Sequence, residues 1–350
     1  MKILKYIFII AALAVVFLTV YIATGKSNYE INVSKKTELS NQRLFRYVNN
    51  LQNFGDWNPW NNDAAAFKLD SIYKGKDAKV SWNGNEAFIK KSIPNDTIFL
   101  KLNVSGNDYD TKMYFDEVDG KTTVNWHVKG NLSFSEKFKL FFQGTPDSMI
   151  APIFEEGLIK INKNITESLK KFSIKNEGIV MIPEMFYIKQ IVESDIEGLG
   201  DKIFQSMEHM NNFAKNFELE PYGSPFTVFE NINVLSGNVR YSVCLPIKNF
   251  FSTAEGSDIV CEKLPAFHGY KTGLTGDYIH SDKAWTEVKK EIATKNLTQR
   301  ADLKPISIYK TSILTTQKTS EWITEFIIPV NETVIPIIDT PATDTLSVTR

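Results

Sequence analysis

The chain opens on an unbroken apolar run. From Tyr6 to Ala23, 18 residues, Thr19 is the only non-apolar position. As a helix that run rises about 27 Å, close to the roughly 30 Å of a bilayer's hydrocarbon core. Beyond it the pattern changes. Ile31 and Val33 alternate with polar residues and predict a short strand within 29–39. Leu44, Val48 and Leu51, spaced four and three, predict a short amphipathic helix. From 67 to 130, short apolar stretches alternate with turn signals at Gly75, Asn83-Gly84, Pro94-Asn95-Asp96, Ser105-Gly106-Asn107 and Asp119-Gly120. A spacing of roughly ten residues is that of an antiparallel meander. After Thr145-Pro146-Asp147, residues Ile150, Phe154, Leu158, Ile161, Ile165, Leu169 and Phe172 step by four or three. They form one face of a helix of about seven turns. A curved sheet closed by such a helix leaves a cavity between the two.

The remainder of the chain repeats itself. Pro225–Phe229 followed by Tyr241–Ile247 matches Pro305–Tyr309 followed by Ile323–Val330, at offsets of 80 and 83 residues. A helical pattern precedes each: Leu199, Ile203, Met207, Met210, Phe213 and Phe217 in the first, and Trp285, Val288 and Ile292 in the second. Ser281 is placed as N-cap of the second. Strand-like runs, 179–192 and 258–272, precede the helices. The segment therefore predicts strand, helix, hairpin, twice. That period is too long for a solenoid. It points to a duplicated βαββ module around a pseudo-twofold axis, with a cleft at the join.

Composition narrows the functional classes. With 40 basic and 41 acidic residues the formal net charge is −1, which argues against nucleic-acid binding through bulk positive charge. The 43% apolar content supports large cores over disorder. Two Cys rule out a disulfide scaffold and a four-cysteine zinc site, and four His show no paired-ligand spacing. No cofactor motif is present, since Gly198-Leu199-Gly200 lacks the rest of a phosphate loop. Cys244 and Cys261 stand 17 residues apart on strands that could be neighbours, and two free thiols are the default over a disulfide.

The apolar run is longer than a cleaved signal's core, and Ile22-Ala23-Thr24-Gly25-Lys26 is a poor cleavage site. The expectation is an uncleaved signal anchor within 1–26, crossing through 6–23. Lys2 and Lys5 favour the N-terminus inside, although Lys26, Lys35 and Lys36 oppose that bias. A single-pass membrane protein follows, with its domains outside the cytoplasm. Residues 333–350, rich in Thr, Pro and Ser, predict a flexible tail.

The middle segment resembles a known family. Gln52-Asn53-Phe54-Gly55-Asp56-Trp57-Asn58-Pro59-Trp60 looks like a segment of the polyketide-cyclase-like SRPBCC (START-type) helix-grip family. Ser81–Asn85, Thr123–Trp126 and Met149–Leu158 fit the same pattern in order. The resemblance implies a helix-grip domain over 27–174, mostly a holder of hydrophobic ligands. Trp57, Trp82 and Trp126 then either pack the core or line the cavity mouth.

The last segment, 176–332, resembles the GyrI-like effector-binding family through Gly276-Asp277-Tyr278, Trp285, Pro305–Tyr309 and Glu325–Val330. In that family a Glu four residues before the final Pro often points into the ligand cleft, and Glu325 holds that position here. The first repeat carries Ser242 instead. The overall expectation is an α+β chain with three parts. These are a transmembrane helix, a helix-grip sheet with a long helix, and a duplicated GyrI-like domain. A carboxylate at Glu325 in a cleft lined by Tyr278, Trp285 and Tyr309 would suit a cationic or polar aromatic ligand. The alternatives are Glu325 on a solvent-facing hairpin, or an enzyme, either cyclase-like or a GyrI-like hydrolase with Tyr278 and Glu325 as acid and base. No helix-turn-helix precedes the effector-type segment, so a nucleic-acid partner is not expected.

Overall fold

The computed structural model describes residues 2–60, 67–195, 199–233, 237–254, 256–312, 314–316 and 318–331. The tail expected at 333–350 lies outside them. The chain divides into two compact units, Met1–Ser168 and Leu169–Arg350. It is a mixed α+β protein with two antiparallel sheets and one N-terminal apolar helix.

That helix, α1 (Lys2–Thr24), contains a stretch long and apolar enough to cross a membrane or to serve as a signal sequence, Ile3–Thr24. Its side chains are nearly all exposed, the opposite of a core helix.

The first unit continues with β1 (Asn28–Thr37), α2 (Asn41–Val48), α3 (Phe54–Trp57) and the meander β2 (Phe67–Leu69), β3 (Lys79–Trp82), β4 (Asn85–Ile93), β5 (Thr97–Val104), β6 (Asn107–Val118) and β7 (Lys121–Asn131). The strands assemble in the order β1-β7-β6-β5-β4-β3-β2, so β1 closes back on the last strand. Several of the turns follow from residues that tolerate positive φ: Asn83-Gly84, Ser105-Gly106 and Asp119-Gly120 all adopt it. Three helices follow: α4 (Phe134–Gln143), α5 (Pro146–Met149) and α6 (Ala151–Lys170). Phe154, Leu158, Ile161 and Ile165 form the buried stripe of α6. Gly157 lets α6 approach the sheet: a Cβ there would lie 2.7 Å from Cζ3 of Trp126. The helix α4 was not expected from the hydrophobic pattern.

The second unit holds β8 (Ser173–Ile182), β9 (Met185–Asp195), α7 (Leu199–Asn216), β10 (Phe226–Asn233), β11 (Asn238–Ile247), β12 (Ile259–Leu264), β13 (Phe267–Thr275), α8 (Ser281–Thr294), β14 (Ile306–Thr311) and β15 (Ile323–Pro329). Each strand-like run expected before a helix is in fact two strands. Pro183 and Pro265 supply the reason, because proline cannot donate to the ladder and breaks the run. The eight-stranded order is β12-β9-β11-β10-β14-β15-β13-β8. It reads alike from both edges. The first strand of each strand–helix–hairpin segment has crossed over: β8 pairs with β13, and β12 pairs with β9. Ser281 is not the cap it was expected to be. A 3₁₀ turn, Tyr278–His280, precedes α8, and Asp277 caps that turn by accepting from Ile279 N at 3.1 Å.

Candidate functional site

Strand alternation sorts the second sheet into two faces. Both α7 and α8 lie on one of them. Ile203, Met207, Met210 and Ala214 of α7 pack on Tyr241, Val243 and Leu245, and Ala284 of α8 packs with Leu274 and Phe326. The opposite face has an apolar floor of Ile182, Tyr187, Phe226, Cys244, Phe267, Ile306 and Ile327.

The helix-covered face gathers the aromatics singled out in the sequence. Tyr278 stacks on Trp322 at 4.6 Å and meets Tyr309 edge-on at 5.4 Å. Trp285 on α8 contacts Phe326 at 4.9 Å and, across the join, Phe229 at 6.2 Å. Here β10 and β14, the two central strands, bring the halves together through Thr227 opposite Ser307. Polar atoms are embedded among these rings. The Tyr309 hydroxyl lies 3.2 Å from Thr227 Oγ1. Burial pushes the Tyr309 phenol well above its ordinary pKa, with the Thr227 contact opposing. On the same face, Ser307 Oγ and Thr324 Oγ1 are fully buried with no hydrogen-bond partner. Thr324 stands directly across from Tyr309. Sequence reasoning missed both hydroxyls, because nothing in a strand pattern tells a paired hydroxyl from an orphaned one.

Glu325 is not part of this cluster. It follows Thr324 and precedes Phe326, so alternation turns it to the other face, opposite Ile308. There Lys271 Nζ donates to Glu325 Oε1 at 3.1 Å and sits 2.8 Å from Glu177 Oε2. Burial works against the Lys271 ammonium, but its bonds to Glu177 and Glu325 outweigh that and hold its pKa above the ordinary value. The expected cleft combining Glu325 with Tyr278, Trp285 and Tyr309 is therefore not formed. For the same reason Tyr278 and Glu325 do not meet as an acid–base pair.

A second lysine occupies the matching place in the other half. Lys189 opposes Cys244 as Lys271 opposes Ile327. Lys189 pairs with Glu262 at 2.7 Å, and Tyr187 donates to the same carboxylate at 2.8 Å. Burial raises the Glu262 pKa, but these two partners prevail and lower it. Cys244 faces this side, while Cys261 packs on the helix side, with β9 lying between their strands. A disulfide between them is excluded by that register. Desolvation pushes the Cys244 thiol far up, which makes it a poor nucleophile.

In the first unit Trp57, Trp82 and Trp126 are all core residues, fully buried. Trp57 meets Trp126 at 5.7 Å, and Phe54 joins Trp57 to Trp82 at 4.8 and 5.0 Å. Phe154 of α6 closes on Trp126 at 4.8 Å. All three indole N–H groups lack a hydrogen-bond partner, as does Thr111 Oγ1 on the same sheet.

Two open surface clefts offer less. One of about 580 Å³ borders Lys26, Glu30, Lys101, Asp108 and Lys129 in the first unit. The other, about 620 Å³, borders Glu193, Asp195, Lys202 and Arg240 in the second. In both, facing charges pair with each other, for example Lys101 with Asp108 and Arg240 with Glu193. Among the described residues, no three His, Cys, Asp or Glu side chains cluster as metal ligands.

No family model matches the chain, and no curated protein does. Solved structures with partial likeness exist. The EcmrR C-terminal domain is 17% identical, covering 46% of this chain and 99% of its own, with a TM-score of 0.38. SAV2435 bound to tetraphenylphosphonium is 12% identical, covering 45% of this chain and 94% of its own, at 0.34. CalU16 from Micromonospora echinospora is 8% identical, covering 39% of this chain and 79% of its own, at 0.27. Likenesses this weak carry no inference about what this chain binds.

Proposed function

We propose that the chain is a membrane-anchored, non-catalytic binder of small aromatic molecules that carry a polar group, with one interior site in each unit. The observation that carries this reading is the pair of buried, unpartnered hydroxyls, Ser307 and Thr324, among aromatic rings at the join of the second unit. An unmade hydrogen bond in such a place costs about 1–3 kcal/mol, and a bound polar group recovers it. The aromatic walls suit a flat ligand and add cation–π attraction if it is charged. The orphaned indole donors of the first unit call for a ligand with acceptor oxygens.

The finer assignments rest on the sequence segments quoted above. The first unit reads as a helix-grip domain. The second reads as a duplicated GyrI-like module, supported by its edge-to-edge symmetric strand order. The apolar helix α1 serves as the anchor and places both units outside the cytoplasm.

The test is a thermal shift on the full chain in detergent micelles, with 4-aminoquinoline, flat and cationic with an amino donor, and, separately, 2-naphthol as probes. At least one should raise the melting temperature. Ser307→Ala combined with Thr324→Val should keep or raise the unliganded melting temperature while reducing the ligand shift. No shift with either probe, or an undiminished shift in the double variant, would refute the site in the second unit.

A further inference from the structure

The helix α4 has its apolar stripe on the wrong side for a soluble domain. Phe134, Phe138, Phe141 and Phe142 fall at spacings of four, three and one, which place them on one helical face. That face points outward: the four rings are 48%, 45%, 49% and 63% exposed. The helix itself is well specified. Ser133 accepts from Glu136 N and Glu136 accepts from Ser133 N, a complete capping box. Gly144 then ends it in a φ of +136° that other residues rarely adopt. An ordered helix that shows four phenylalanines outward has its apolar face aimed at something other than its own core.

The place of α4 says what that is. It lies against the C-terminal end of α1: Phe141 meets Tyr21 at 6.2 Å, edge-on. Lys137 Nζ donates to the carbonyls of Ala23 and Gly25, at 3.1 and 2.6 Å, and so caps the last turn of α1. The level at which α1 would leave the hydrocarbon is thus the level at which the phenylalanine face is displayed. Lys139, on the same helix, is exposed beside it. Phenylalanines on one face and lysines nearby are the composition of a helix lying in the interface of a bilayer.

We propose that α4 is a second membrane contact: it lies in the bilayer interface with Phe134, Phe138 and Phe142 inserted, and holds the first unit against the membrane beside its anchor. The proposal rests on the reading of α1 as a membrane-crossing helix, and its test separates the two.

The full chain, in a Cys261→Ser background, is reconstituted into vesicles of phosphatidylcholine and phosphatidylglycerol. Spin labels are placed one at a time at Leu13→Cys, Phe138→Cys and Glu117→Cys. Collision with oxygen, which concentrates in lipid, is compared with collision with a water-soluble nickel chelate. The expected oxygen-to-nickel ratio is several-fold higher at 138 than at 117, and highest at 13. A lipid-like ratio at 13 with a water-like ratio at 138 overturns the interfacial helix and leaves the anchor standing. A label at 138 shielded from both reagents overturns it in favour of a protein partner or a second copy. A water-like ratio at 13 refutes the anchor, and the interfacial helix falls with it. Phe138 is 45% exposed and no residue of α4 is buried, so its replacement tests contact with lipid more than folding.

Discussion

Lys271 stands between two carboxylates, and the balance of charge there decides what its replacement does. Lys271 and Glu325 side chains are each 16% exposed, and Glu177 is 35% exposed. Lys271→Met strips both acids of their partner at once. Fully buried pairs broken this way lose about 3–5 kcal/mol, and partial exposure reduces the expected loss here to about 2 kcal/mol. Glu325→Gln leaves Lys271 with Glu177 and should cost less than about 1 kcal/mol. Urea unfolding midpoints distinguish the two variants. The pH dependence has a definite sign. Folding raises the Lys271 pKa above 10.5, so its contribution is complete below that value and is lost as pH rises through the folded one. The stability gap between the parent and Lys271→Met should therefore close at strongly alkaline pH. Thr324→Val should act in the opposite direction, adding about 1 kcal/mol, because it exchanges an orphaned hydroxyl for a methyl of nearly the same shape.

At the scale of elements, α6 and its neighbours show what a sequence discloses. The stripe from Phe154 to Ile165 was readable because its period is that of a helix with one buried face. The hairpin turns were readable because Asn-Gly, Ser-Gly and Asp-Gly pairs accept a backbone that most residues avoid. The facing of Glu325 was not. β15 is apolar on both sides, with Phe326 and Ile328 on one and Ile327 on the other, so alternation alone does not say which side the helices cover. The helix α4 was missed although Ser133 and Glu136 announced a capping box, because its hydrophobic stripe follows directly on a long strand. Gly157 gives the element-scale prediction. Gly157→Ala gains about 1 kcal/mol of helix propensity, yet the added methyl meets the fully buried Trp126 ring at 2.7 Å. Overpacking of this kind costs about 1–3 kcal/mol, so the melting temperature of the first unit should fall.

Taken whole, the chain has two units with separate cores, and calorimetry should resolve two transitions. Lys271→Met should move only one of them, and Gly157→Ala only the other. A single transition displaced by both variants would contradict independent cores. The division into a meander with a long helix and a repeated segment was legible from periodicity and from the recurrence of Pro225–Phe229 in Pro305–Tyr309. The pairing of β8 with β13 was not, since a strand's sequence does not name its partner across the chain.

That crossed pairing has a consequence for how the protein is made. β8 leaves the ribosome early, but its partner β13 begins about 85 residues after β8 ends. At roughly 5–20 residues per second, β8 waits several seconds with its edge and the side chains of Val180 and Ile182 unsatisfied. β12, in contrast, emerges after β9 and can pair at once. The second half of the repeat thus completes the first, and synthesis stopped before β13 yields a chain with an open, apolar strand edge. Neighbouring nascent chains would offer each other the strand that each still lacks, which makes exchange between chains the characteristic folding error of this architecture.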